Sequence, residues 1–234
     1  MKSHANGMLD LVPRSGLAHI IATDLSPAYF ALGNAVQVSA LAGVFGMTMA
    51  IANERWFGTL PSLLATPANR LALFSGRALP FVANGVLVSA FGFAVGLLLL
   101  DFELAPGALP GLACVVLVTV ASCTGFGLLL GSIGLRARDV FFISNLFYFL
   151  MLLLCGVNVP LDALPGWLAA VGRALPMTHG IEAARAVAAG APLRAVDYLV
   201  AREALVGAVY VAAAYAMLRL FEAEGRRRAT LETM

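Results

Sequence analysis

Five stretches of this chain, about 33–53, 78–100, 112–135, 140–157 and 203–221, are continuously apolar. A helix needs about 20 mostly apolar residues to cross about 30 Å of hydrocarbon, and all five meet that length or come close. The fourth, Val140 to Val157, is the shortest and most uniformly apolar, with Asn145 as its main polar group. The runs are continuous and do not alternate with period two, which disfavours strands. The expected fold is an all-α, polytopic transmembrane bundle. Composition agrees: 12% of residues are charged, against about a quarter in soluble domains. Residues 1–32 hold only a short apolar patch near Leu17–Ala22, broken by Asp24 and Pro27. That patch is too short to span and lacks the cleavage site of a secretory signal. An irregular N-terminal segment is expected there.

Arginine placement orients the bundle, since lysine occurs once, as Lys2. The insert 54–77 carries Arg55, Arg70 and Arg77; the turn Gly134–Asp139 carries Arg136 and Arg138; the end of the chain carries Arg219 and Arg226–Arg228. The turn between them, Asp101 to Gly111, has Asp101 and Glu103 and no basic residue. The positive-inside rule puts the three basic groups in the cytoplasm and the acidic turn outside. A basic cytoplasmic tail, 222–234, follows the last span. Residues 158–202 then lie outside, where Arg173, Arg185, Arg194 and Arg202 meet Asp162, Glu182 and Asp197.

That outer segment is punctuated by Pro160 and Pro165. Pro165-Gly166-Trp167 opens a short helix with Trp167, Leu168, Val171 and Leu175 on one side, Pro176 ends it, and Met177 to Ala189 forms a second. Short amphipathic helices carrying Trp lie in the membrane plane. Two readings stay open: a plug for the outer ends of the spans, or a part in gating and release.

The insert is more elaborate than a turn needs to be. Gly58 lets the chain leave the preceding span sharply. Thr59 reads as an N-cap, and Pro61 is tolerated in a first helical turn. Leu60, Leu63 and Leu64 share one face, and Pro67 stops the helix. Glu54 and Arg55 sit at the end of the preceding span, where a half-buried carboxylate needs a partner; Arg77 is the candidate. The residues alone leave open whether this helix rests on lipid headgroups, with Trp56 and Phe57 as anchors, or docks another protein.

The pattern Glu54-Arg55-x-x-Gly58-Thr59-Leu60-x-x-Leu63-Leu64-x-Thr66-Pro67-x-x-Arg70 resembles the stretch between the second and third spans of type-2 ABC exporter permeases. A second match, Pro176-x-Thr178-x-x-x-Glu182-x-x-Arg185 with His179 inside it, is similar to the outer region before that family's last span. The resemblance covers about residues 30–221. It implies that the insert is a coupling helix docking an ATPase subunit. It also implies a second permease subunit, as homodimer or heterodimer, alternating access, and a bacterial cytoplasmic membrane with the C-terminus inside. Two departures stand out. Pro61 occupies a position where family members often carry a glutamate, so a carboxylate contact there does not carry over. The family has six spans and five are counted here, the first being absent; the expectation is a late start or a variant chain, with the N-terminus outside.

No catalytic set is visible. A phosphate-cradling G-x-x-x-x-G-K-[ST] loop needs a lysine, and Lys2 has no flanking glycines. No cofactor is expected in this chain; ATP would be bound by the partner subunit. Cys114, Cys123 and Cys155 lack metal-ligand spacing and read as small buried residues. The spans carry no ionisable residue in their central thirds, which disfavours a membrane enzyme or a proton-driven carrier. Their uncharged polar residues, Thr48, Ser89, Thr119, Ser122 and Thr124 among them, read as glue between helices. The spacings Gly92-x-x-x-Gly96 and Gly127-x-x-x-Gly131 permit close helix crossings. The lipid bilayer is an expected partner and nucleic acid is not. The alternative function is a non-transporting scaffold or sensor that docks a cytoplasmic protein.

Overall fold

The computed structural model describes residues 27–59, 70–99, 104–105, 107–135 and 139–228, without the side chains of 27, 28, 70–72, 99 and 221–228. Its helices are α1 (Pro27–Trp56), α2 (Arg70–Leu99), α3 (Ala108–Gly134), α4 (Val140–Leu154), α5 (Gly166–Ala174), α6 (Thr178–Ala188) and α7 (Asp197–Arg228). Two short 3₁₀ turns, Leu161–Ala163 and Leu193–Ala195, complete the elements, and no strand occurs among the described residues.

α3 is the hub, packing most extensively against α1 and α7 and also against α2 and α6. The most apolar windows of α1 and α3 are 61% and 67% buried, against 17% for α2 and 22% for α7. α1 and α3 therefore form the interior, while α2 and α7 turn apolar faces such as Leu87, Phe91, Leu205 and Val209 outward. Outward apolar side chains on long helices suit a lipid solvent.

Four helices, α1, α2, α3 and α7, are long and apolar enough to cross a membrane. The expected fourth span is shorter than its apolar run. α4 ends at Leu154, and at about 1.5 Å per residue its 15 residues fall short of the roughly 30 Å of hydrocarbon. Gly156, with φ 76°, turns the chain out of it. Other boundaries also moved. α1 begins at Pro27, so residues 27–32 are helical and not irregular. α2 begins at Arg70, eight residues before the expected span, and carries Pro80 inside it. α7 starts six residues early and continues through Arg228, so most of the expected tail extends the last helix.

Small residues let the central helices approach closely. A Cβ at Gly127 would lie 2.5 Å from the Val44 carbonyl oxygen, and one at Gly131 would lie 2.7 Å from Ile51. This glycine pair thus serves the α1–α3 crossing within the chain. Thr48 locks the same crossing, donating to Val44 O at 2.7 Å and to Gly127 O at 3.0 Å. Thr119, Thr124 and Ser144 each donate to the carbonyl four residues back on their own helix. For these three hydroxyls the preceding turn supplies the acceptor that an apolar medium does not.

Gly127→Leu should force α1 from α3 and lower stability by about 1–3 kcal/mol, read as a depressed melting temperature in detergent. Gly76→Leu, where a Cβ meets nothing within 4 Å, should leave the melting temperature unchanged.

Candidate functional site

The chain concentrates its polar structure at the two ends of the bundle. At one end, α1 finishes with Glu54 and Arg55. The Arg77 guanidinium of α2 donates to the Glu54 carboxylate, forming the expected ion pair. The Thr59 hydroxyl donates to the other Glu54 oxygen, and the Thr59 amide donates to the Glu54 carbonyl at 3.0 Å. Arg55 reaches across to α3 and donates to Gly134 O at 3.1 Å, supplying a cation to that helix's C-terminus. Gly58, at φ 67°, takes the left-handed conformation that ends α1. The expected sharp exit is there. The Thr59 hydroxyl points back to Glu54; the helix it was expected to cap lies outside the described residues. The leucine face, Leu60, Leu63 and Leu64, and the stop at Pro67 lie outside the described residues.

At the opposite end, α5 and α6 pack very differently from each other. α5 keeps Trp167 and Val171 exposed and buries Ala169 and Gly172, as an in-plane helix would. Leu175, expected on the same side as Trp167, is buried instead. α6 is wedged among α1, α3 and α7. Its small residues make this possible. Gly180 approaches Thr119 so closely that a Cβ would fall 2.0 Å from the Thr119 hydroxyl, and Ala183 and Ala184 are fully buried.

A wedged helix brings bare N–H groups with it. Glu203, six residues into α7 and 0% exposed, accepts from Met177 N at 2.7 Å and from Gly180 N at 3.2 Å. A buried carboxylate at a helix N-terminus meets both the free donors and the positive end of the dipole. Met177 is held in the left-handed region at φ 83°, strain worth about 1–3 kcal/mol that aims its amide at the carboxylate. Sequence reading passed over Glu203 because it begins an apolar run and reads as an interfacial charge. The available signal was an acid set between Arg202 and an uncharged stretch, five residues beyond the preceding Tyr198.

Arg185 anchors the other end of α6. It donates to Gly156 O at 2.8 Å, Val157 O at 3.0 Å and Tyr29 O at 3.2 Å, and lies 3.4 Å from the Tyr29 ring centroid. Gly33 leaves it room, since a Cβ there would sit 2.7 Å from the guanidinium. His179, Glu182 and Arg185 line one cavity of about 430 Å³ between α5, α6 and the start of α7. Pro176 is buried behind them, its carbonyl accepting from the Cys155 thiol at 3.5 Å. Burial holds His179 below its ordinary pKa; Glu182 and a hydrogen bond with the Arg173 backbone oppose that shift, and the Arg202 and Arg173 charges reinforce it. Among the described residues no group of His, Cys, Asp and Glu could hold a metal ion, and the three cysteines are free thiols.

Residues 16–188 match the family model described as the ABC-2 type transporter. The chain belongs to the ABC-2 type transporter family. It is 25% identical over 187 residues to the "Probable multidrug ABC transporter permease YbhR" of Escherichia coli K12, and equally so to the protein of that name in Escherichia coli O157:H7. The alignment takes in 76% of this chain and 50% of each relative, so the chain spans about half the length of the curated relatives it matches. The ABC-2 match agrees with the architecture: a membrane protein built from long apolar helices.

Two outcomes are expected. Glu203→Leu leaves two buried amides without an acceptor, at about 1–3 kcal/mol each, whereas Glu203→Gln keeps one; hydrogen exchange across 177–188 should accelerate strongly in the first and weakly in the second. His179 is held neutral where the unfolded chain would take up a proton, so stability is lost as pH falls below the ordinary value of 6.5. The drop in melting temperature from about pH 7 to about pH 5 should therefore be smaller in His179→Gln than in wild type.

Proposed function

We propose that this chain is the membrane-spanning permease subunit of an ATP-driven ABC exporter. It moves a substrate across the bacterial cytoplasmic membrane, with its C-terminus in the cytoplasm. A separate ATPase subunit binds and hydrolyses ATP, and a second permease subunit completes the translocation path. The observation that carries this reading is the built base of the insert that begins at Gly58. Glu54, Arg77 and Thr59 tie that base to α1 and α2, and Arg55 ties it to the end of α3. An insert whose base is rooted on three spans at once is suited to transmit a push from a cytoplasmic partner to all of them. A turn that only joined two spans would have no use for these contacts.

In this reading ATP-driven closure of the ATPases presses on the Leu60–Leu64 face, and the spans rock between inward-open and outward-open states. The Arg77–Glu54 pair keeps α1 and α2 moving together. Pro61 leaves no acid at the front of the helix, so its grip on the ATPase rests on the leucines. The substrate class is left to transport assays; the buried Glu203 is taken up by the Met177 and Gly180 amides of this chain.

Leu63→Glu should abolish coupled export while the protein still inserts, checked by transport assay beside membrane-fraction blotting. Normal export by a correctly inserted Leu63→Glu chain would overturn the coupling assignment. Arg77→Glu should weaken export, and the exchanged pair Glu54→Arg/Arg77→Glu should recover part of it.

A further inference from the structure

The cavity between α5, α6 and the start of α7 is lined by three arginines, Arg173 near the end of α5, Arg185 on α6 and Arg202 on α7, and by His179, against two acids, Asp162 and Glu182. Among the described residues neither Arg173 nor Arg202 makes an ion pair; Arg202 lies only at 6.0 Å from the Tyr198 ring centroid. His179 is 6% exposed, and its Nδ1 has no hydrogen-bond partner. Arg185 is spent on three carbonyls, so Arg173 and Arg202 are the cations open to a ligand. A guanidinium matches phosphate oxygens through paired N–H donors. The orphan imidazole nitrogen also suits a phosphate in either protonation state. A neutral ring accepts from P–OH, and an imidazolium donates to P–O⁻.

The surroundings indicate what carries the phosphate. Trp167 and Val171, on the same short helix as Arg173, are 70% and 46% exposed. An exposed, Trp-bearing face on the helix that carries Arg173 suits a place at the membrane interface, where an acyl chain lies below and a headgroup above. We propose that this cavity binds a phosphate group presented as the headgroup of a membrane amphiphile, held by Arg173 and Arg202 with His179 at its floor. The site does not depend on an ATPase partner or on the exporter reading, and its test needs neither.

The full chain in detergent micelles should bind dioctanoyl phosphatidylglycerol saturably in native mass spectrometry, and should not bind dioctanoylglycerol, which lacks the phosphate. Arg173→Gln/Arg202→Gln should weaken phosphatidylglycerol binding by roughly tenfold or more, with an unchanged melting temperature because both side chains are exposed. Glu182→Gln removes an acid from the cavity and should tighten binding. Inorganic phosphate is the third probe: weak binding supports the amphiphile, and binding as tight as the lipid's overturns it in favour of a soluble phosphate. The proposal fails if neither phosphate probe saturates, if dioctanoylglycerol binds equally well, or if the double arginine variant binds like wild type.

Discussion

The close crossing of α1 and α3 sets the rest of the bundle. In hydrocarbon no water competes for apolar surface, so helices associate through tight packing and a few hydrogen bonds. Gly127 and Gly131 bring the α3 backbone against Val44 and Ile51, and Thr48 bonds across the gap. With that axis fixed, α2 packs on one side of the pair and α7 on the other side of α3. Wedge helix α6 then enters where α1, α3 and α7 meet at one end. Its path exists only because Gly180, Ala183 and Ala184 keep it thin.

The two ends of the bundle use charge in contrasting ways. Beside the insert, Glu54, Arg77 and Arg55 form links between helices that remain partly exposed. At the α6 end, Glu203 and Arg185 are spent on backbone groups: one carboxylate on two amides, one guanidinium on three carbonyls. Ionisable groups deep in a membrane protein face the interior and find partners, and here the partners are the loose ends of helices. The first arrangement ties spans together. The second holds irregular backbone at depth, which lipid alone would not tolerate.

Much of this was legible in the sequence, for identifiable reasons. Continuous apolar runs announced the long helices, and Pro165, Pro176 and Gly166 marked the two short ones nearly to the residue. The Glu54–Arg77 pair followed from a carboxylate at a span's end and an arginine at the next span's start. Boundaries were misjudged wherever a helix continued past its apolar run, as α7 does through Arg228, because hydropathy reports the solvent and not the hydrogen-bond ladder. The burial of α6 was not legible because small residues such as Ala183 and Ala184 look neutral in sequence and become decisive only when three helices surround them. Glu203 was missed for a related reason: its partners are backbone amides, which carry no signature in side-chain identity.

The Glu203 cap also has a consequence for how the protein is made. α6 precedes α7 in the chain, so its first amides emerge from synthesis before the carboxylate that satisfies them. Until α7 is placed, the wedge has no stable seat among α1 and α3, and Met177 has nothing to hold it in its left-handed turn. Insertion of the last helix is thus the step that closes the bundle, and a chain halted before residue 203 keeps α1, α2 and α3 but neither α7 nor a finished seat for the α6 wedge.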